Sequence, residues 1–498
     1  MGWGREGDRE GETDRQADSQ AERDKETETE TDRVGETHTH TNTQIESCNS
    51  VSPFSKKQSW NRGVAIHGIN HLRLQHNFVY NIRGHTFFIE DGPEIENRIE
   101  DNLAIKTIPS MNLLNTDQTP AGFWIVSCWN YIRNNHAVAS RRYGLWIRPE
   151  MSATGTSVNT PDVHPINIPV LEISGNQAHS NGKYGLRVFD VFLPNEASVI
   201  KDLFVWRNGM VGWTATKVGK LGFDGVVSVQ HGETHFEGRS TETQRWDENF
   251  IRNALFVDYI DLPLTQSYSA THDSFTSVDV LGGPMKGGLL LPWNELAGGM
   301  TISNVTFVNH FEPVLRGGAH IARGGSPSTG DGAWETRFEG INFVNTSQRA
   351  LFRHPHEAFF YDLDGTLTGS GIQEDYARSG GSIIGSSLVP RSVLRPPEHC
   401  VNTDMTTKSP NGRYGDVGGM VCTGQIFRRV VFKAIKQDSL VGKSVCVRYV
   451  ILLRMVVGVG VFAVSSGVFA TSCLGMGGFA GWVIGFLLNA LISSCSVL

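Results

Sequence analysis

The chain has 498 residues, 55 of them Gly, with only 19% charged and a formal net charge of −7. That length is ample for a sizeable core, and the balance is that of a Gly-rich all-β protein. The acidity is local: residues 1–50 hold 14 Asp and Glu against 6 Lys and Arg, a net of −8, which leaves about +1 for the rest. Neither part offers the basic surface that a nucleic-acid partner requires.

Residues 1–55 read as a disordered polar leader. Runs such as Glu26-Thr27-Glu28-Thr29-Glu30-Thr31 have too little apolar area to order themselves, and the His of Thr37-His38-Thr39-His40 read as solvated rather than as metal ligands. The acidic start lacks the basic and apolar regions of a signal peptide.

From residue 56 to 435 the chain repeats one short grammar. Ile69 to Val79 leads through Gly84 to Phe87-Phe88-Ile89, Tyr131 to Ala137 through Gly144 to Leu145-Trp146-Ile147, and Leu171 to Ala178 through Gly185 to Leu186-Arg187-Val188. Each unit is a short alternating strand, an Asn, a polar turn, a Gly and a second strand. Later units appear at Met300 to Asn309 and Phe338 to Asn345. A single coil cannot bury its apolar face alone, so the repetition predicts a solenoid: an all-β, right-handed parallel β-helix. Its Asn side chains are expected to stack between coils and its Gly to supply positive φ at corners.

The densest polar group is His85 to Asn97. Alternation along the strand separates His85, Phe87 and Ile89 from Phe88 and Glu90, and gathers Glu90, Asp91 and Glu94 at the strand end. These three carboxylates suit a hard cation such as calcium; with His85 nearby they also suit general acid–base cleavage of a sugar chain. The plainer alternative is a turn at Asp91-Gly92-Pro93 with solvated carboxylates.

Further along, Tyr361-Asp362-Leu363-Asp364-Gly365 resembles the nucleophile motif of haloacid-dehalogenase-type phosphatases. No alternation of helix and strand follows, so a strand ending in an Asp-Gly turn is expected instead. Cys400 and Cys422 flank a polar loop that a disulfide can staple, implying an oxidising compartment, whereas Cys128 lies among apolar residues and reads as a buried thiol. Asn304 and Asn345 head sequons for glycosylation in a secretory lumen. Residues 436–498 form a hydrophobic tail with no charge from Met455 to Leu498, long enough for a transmembrane segment that would tether the chain.

The run Gly63-Val64-Ala65-Ile66-His67-Gly68, then Val79 to Gly92, then Glu96-Asn97, resembles the β-helix region of the cell-migration-inducing hyaluronidases and fibrocystin-like proteins. The likeness continues through Thr119 to Ile125, Asn135 to Ala139, Phe204 to Gly209, Tyr361 to Gly365, and Cys400 with Cys422. It implies an extracellular or membrane-associated domain whose partner is a hyaluronan-like glycan or matrix polysaccharide. Relatives carry a His-aromatic-His segment one coil earlier, which the polar leader replaces here. The expectation is therefore glycan binding or a scaffold role, with glycosidase activity the alternative.

Overall fold

The computed structural model describes most of residues 50–422, together with Lys433–Ile435 and Arg448–Val450. Two units are distinguished, residues 1–425 and 426–498. Within the first, almost every described element is a short strand, and helix is limited to 3-10 turns at Asn115–Gln118, Gly155–Ser157 and Pro165–Asn167. In the second, Lys433–Ile435 pairs antiparallel with Arg448–Val450.

The first unit is a parallel β-helix with three faces. Successive coils contribute strands such as Arg73–Gln75, Arg98–Glu100 and Tyr131–Arg133 to the first face, and Phe78–Arg83, Leu103–Ile108 and His136–Val138 to the second. The third face stacks Val64–Ile66, Phe87–Ile89, Ala121–Ile125 and Tyr143–Ile147, all parallel. Inward positions fall in register. On the first face Leu74, Ile99, Ile132, Ile173, Ile200 and Phe223 form one buried column. No coil could shield such a row by itself, so burial of each apolar side chain depends on the coil above and below.

Asn side chains extend between coils as expected. The Nδ2 of Asn77, Asn102 and Asn135 donates to the Oδ1 of Asn102, Asn135 and Asn176 in turn, across 25, 33 and 41 residues. All four are buried, and their carbonyls also accept backbone N–H groups that have turned away from the sheet. The unequal spacings show that loops of different length leave the stack at its corners without disturbing the register of the ladder.

Glycine supplies positive φ at some corners as expected, among them Gly175, Gly225 and Gly340, and plays a second part elsewhere. Gly84 takes positive φ, +78°, but Gly144 and Gly185 lie inside strands of the third face. A Cβ on Gly144 would stand 2.6 Å from the Cβ of Ala178, and one on Gly185 2.7 Å from Val205, so these glycines admit the close approach of the second face. The left-handed corners between the first two faces are filled mainly by other residues, among them His76, Asp101, Asn134, Asp202, Asn253 and Asn304.

The ends also depart from the expected boundaries. Ser50–Val51 already pairs with the coil at Arg73-Leu74, inside the segment expected to be leader. The expected disorder before it lies outside the described residues. At the other end, Ser386–Pro390 and Gly419–Cys422 run antiparallel to their neighbours, so the parallel coils stop before residue 435. No helix among the described residues is long and apolar enough to cross a membrane; Arg448–Val450, inside the expected tail, is a short strand, and the uncharged stretch Met455 to Leu498 lies outside the described residues.

Candidate functional site

Val64–Ile66 and Phe87–Ile89 pair in parallel, so their C-terminal ends coincide. Beyond those ends the chain delivers His67 from one coil and Glu90 with Asp91 from the next. Candidate ligand atoms of these three residues lie within 4.8 Å of one another. His67 Nδ1 stands 3.0 Å from Asp91 Oδ1 and 3.5 Å from Glu90 Oε2. A fourth residue, Arg62, enters just before the first of these strands. Its guanidinium packs 3.6 Å over the Phe88 ring, donates to Glu90 Oε2 at 3.0 Å, and lies 3.6 Å from Asp117.

Asp91 is fully buried and holds the cluster together. An excursion after Tyr143–Ile147 brings the hydroxyls of Thr156 and Ser157 to its Oδ2 at 2.7 and 2.9 Å. Thr154 anchors the same loop by donating its N–H to the Asp91 carbonyl and its hydroxyl to that of Glu90. Only glycine fits between: Gly155 has φ +57°, and a Cβ there would lie 2.2 Å from Asp91.

The electrostatics divide the labour. Burial pushes the Asp91 carboxyl up, but hydrogen bonds from His67, Thr156 and Ser157 outweigh it and hold the group below its ordinary value. The same Asp91 bond raises His67 against the opposing effect of burial. Burial raises the Glu90 carboxyl above its ordinary value, only partly offset by Arg62 and His67. With Nδ1 committed to Asp91, Nε2 is the His67 nitrogen suited to proton transfer. His67 and Glu90 keep about a fifth of their side chains exposed, 20% and 18%. They are the members that a ligand can reach.

The other two residues singled out from sequence sit elsewhere. The Glu94 carboxylate turns back onto the N–H groups of Asp91, Gly92 and Gly68, so it caps its own turn and is absent from the converged donor set. His85 is buried between Phe88 and Trp124 and accepts the Ala121 N–H on Nδ1, which requires the neutral ring. Burial first, then Arg62 and Arg148, push its pKa well down. It cannot exchange protons with solvent from that position.

Arg62, His67, Thr156 and Ser157 were missed. A signal existed for His67, which precedes Asp91 by 24 residues, close to the 25-residue coil beside it. The two hydroxyls arrive from 65 and 66 residues away on a loop with no periodicity, and no sequence signal locates them.

The remaining motifs resolve simply. Asp362 ends the strand Phe360–Asp362 and accepts the N–H groups of Leu367 and Thr368, while Asp364 accepts that of Gly340. Both carboxylates cap turns, as the Asp-Gly reading expected, and not as a phosphatase requires. Cys400 and Cys422 are joined, with S–S 2.06 Å, and Cys128 is a buried thiol. Asn304 and Asn345 are exposed residues at positive φ.

Stacked parallel coils, an internal Asn ladder and a polar cluster at two adjacent strand ends define a parallel β-helix domain with a candidate binding or acid–base site. Residues 34–186 match the family described as CEMIP beta-helix, and the chain is homologous to fibrocystin-L and CEMIP2. It is 30% identical over 430 residues to fibrocystin-L of Mus musculus and 28% over 427 to that of Homo sapiens, in each case 82% of this chain but 9% of the relative. Cell surface hyaluronidase CEMIP2 of Homo sapiens is 30% identical over 166 residues, 27% of this chain and 12% of the relative. The chain thus spans about a tenth of the length of these proteins.

Proposed function

We propose that this β-helix is an extracellular or cell-surface domain that binds a hyaluronan-like polysaccharide. The observation that carries the reading is the half-open His67–Glu90 pair, held rigid by Arg62 and by the buried Asp91. A hydroxyl-rich polymer can be met there by a donor and an acceptor at once. That one relative is a cell surface hyaluronidase, CEMIP2, supports the choice of sugar. Cleavage is the alternative, favoured by the raised Glu90 carboxyl, which is poised as a general acid beside a histidine base. Incubating the full-length chain with labelled glycosaminoglycans and sizing the products separates the two. Retained ligand of unchanged length is expected; shortened chains that persist in wild type and vanish in Glu90→Gln would establish the enzyme instead, and neither retention nor shortening would reject both.

A divalent cation is a second reading, favoured by the convergence of His67, Glu90 and Asp91. The nitrogen donor suits zinc better than the calcium suggested by carboxylates alone. If a cation binds, zinc or calcium raises the melting temperature of wild type, and the double change Glu90→Gln with Asp91→Asn abolishes the rise. An equal rise in both proteins would move the cation elsewhere.

A further inference from the structure

At the corner between the second and third faces, Trp60, Arg83, Lys106, Ile108, Met111 and Arg141 help to line a cleft of about 580 Å³. Its lining includes three cationic side chains and no carboxylate. Trp60 is 69% exposed and Met111 76%, whereas most large apolar groups among the described residues are buried. The Arg83 guanidinium stands 5.0 Å over the Trp60 ring, presenting positive charge and an aromatic surface together.

The cleft does not stand alone. The strands that line it, Phe78–Arg83 and Leu103–Ile108, also start an outward-facing column that runs in register through Tyr80, Ile105, Val138, His179 and Trp206. The His179 ring stacks on Trp206 at 4.0 Å, and in the next column Phe78 and Phe204 are 39% and 37% exposed. A partly exposed, largely apolar row on an outer face is a candidate binding surface. Its repeat is the spacing between coils, roughly 4.8 Å, so it offers regularly spaced contacts to an extended polymer.

We infer that the cleft and the column leading from it form a second glycan-binding surface, one that selects acidic polysaccharides. Sugar rings lie with their apolar faces on Trp60 and the aromatic column, and carboxylate or sulfate groups meet Arg83, Lys106 and Arg141. The inference rests on the glycan reading above, but it assigns the polymer to a surface built from residues other than His67 and Glu90.

Calorimetric titration of the full-length chain with a hyaluronan oligosaccharide of defined length tests it, with a neutral dextran oligosaccharide and sodium sulfate as comparisons. Trp60→Ala and Arg83→Glu alter exposed side chains, so both variants should melt with wild type. Each is expected to weaken hyaluronan binding by about tenfold, as loss of one good charged or aromatic contact does. Wild-type binding should also fall with added salt, and the neutral sugar should not bind. If both variants bind as wild type does while His67→Ala does not, the cleft is excluded and the glycan reading survives. If inorganic sulfate binds as well as the oligosaccharide, the cleft is an anion site and the inference fails. No binding of any sugar to wild type overturns both.

Discussion

Asp91 is the residue on which the site turns, and its replacement separates positioning from direct contact. The folded pKa of His67 lies above its ordinary 6.5, so this interaction stabilises fully below about pH 6.5 and is lost as pH rises through the folded value. Asp91 is depressed below its ordinary 3.8, so its share is present above that pH and lost as pH falls through the folded value. Asp91→Asn should therefore lower the His67 titration midpoint seen by NMR. A midpoint that stays raised would mean that Glu90 alone holds the proton. The sequence revealed the two adjacent carboxylates because they share one strand end. Their partners lie one coil or one loop away, and single-strand alternation carries no information across coils.

Elements hold together through side chains that replace backbone partners. Asn135 accepts from Asn102, donates to the Ile99 carbonyl and donates to Asn176. Asn135→Leu strands several buried polar groups at once and should cost about 3 kcal/mol in chemical denaturation, given 1–3 kcal/mol for each unsatisfied group. An unchanged midpoint would remove the ladder from the account of stability. Gly144→Ala should cost about 1–3 kcal/mol by overpacking rather than by backbone strain, since no positive φ is needed there. The ladder was legible because Asn recurs at one place in each unit. The purpose of the glycines was not. A Gly in a strand and a Gly at a corner look alike in sequence, and the left-handed corners were hidden because residues such as His76 and Asp101 gave no warning.

Across the whole domain, buried neutral histidines set the response to acid. Burial pushes His231 down to about 3 and His310 to about 4. His231 accepts the Asn208 N–H on Nδ1, as an Asn of the ladder would accept with Oδ1, and it can do so only unprotonated. Because the unfolded chain binds these protons more readily, stability is full above about pH 6.5 and falls as pH drops toward 3–4. Denaturant midpoints across pH should show that decline, and His231→Asn should make it shallower. A profile that is level down to pH 4.5 would contradict the assignment. The disulfide closes 22 residues and its removal should cost about 3 kcal/mol by loop entropy, read from melting of the Cys400→Ser, Cys422→Ser protein against wild type.

The bond also fastens the place where the strands change direction. A parallel stack is an open template, and an incoming strand of another chain could continue it without limit. Ser386–Pro390 and Cys400–Thr403, each reversed against its neighbour and the latter tied to Gly419–Cys422, break the template's polarity in the larger sheet, while Thr406–Thr407 continues the third face in parallel. On that sheet the reversal is to self-assembly what a chain terminator is to polymerisation: an incoming parallel strand finds its register opposed by direction rather than by charge.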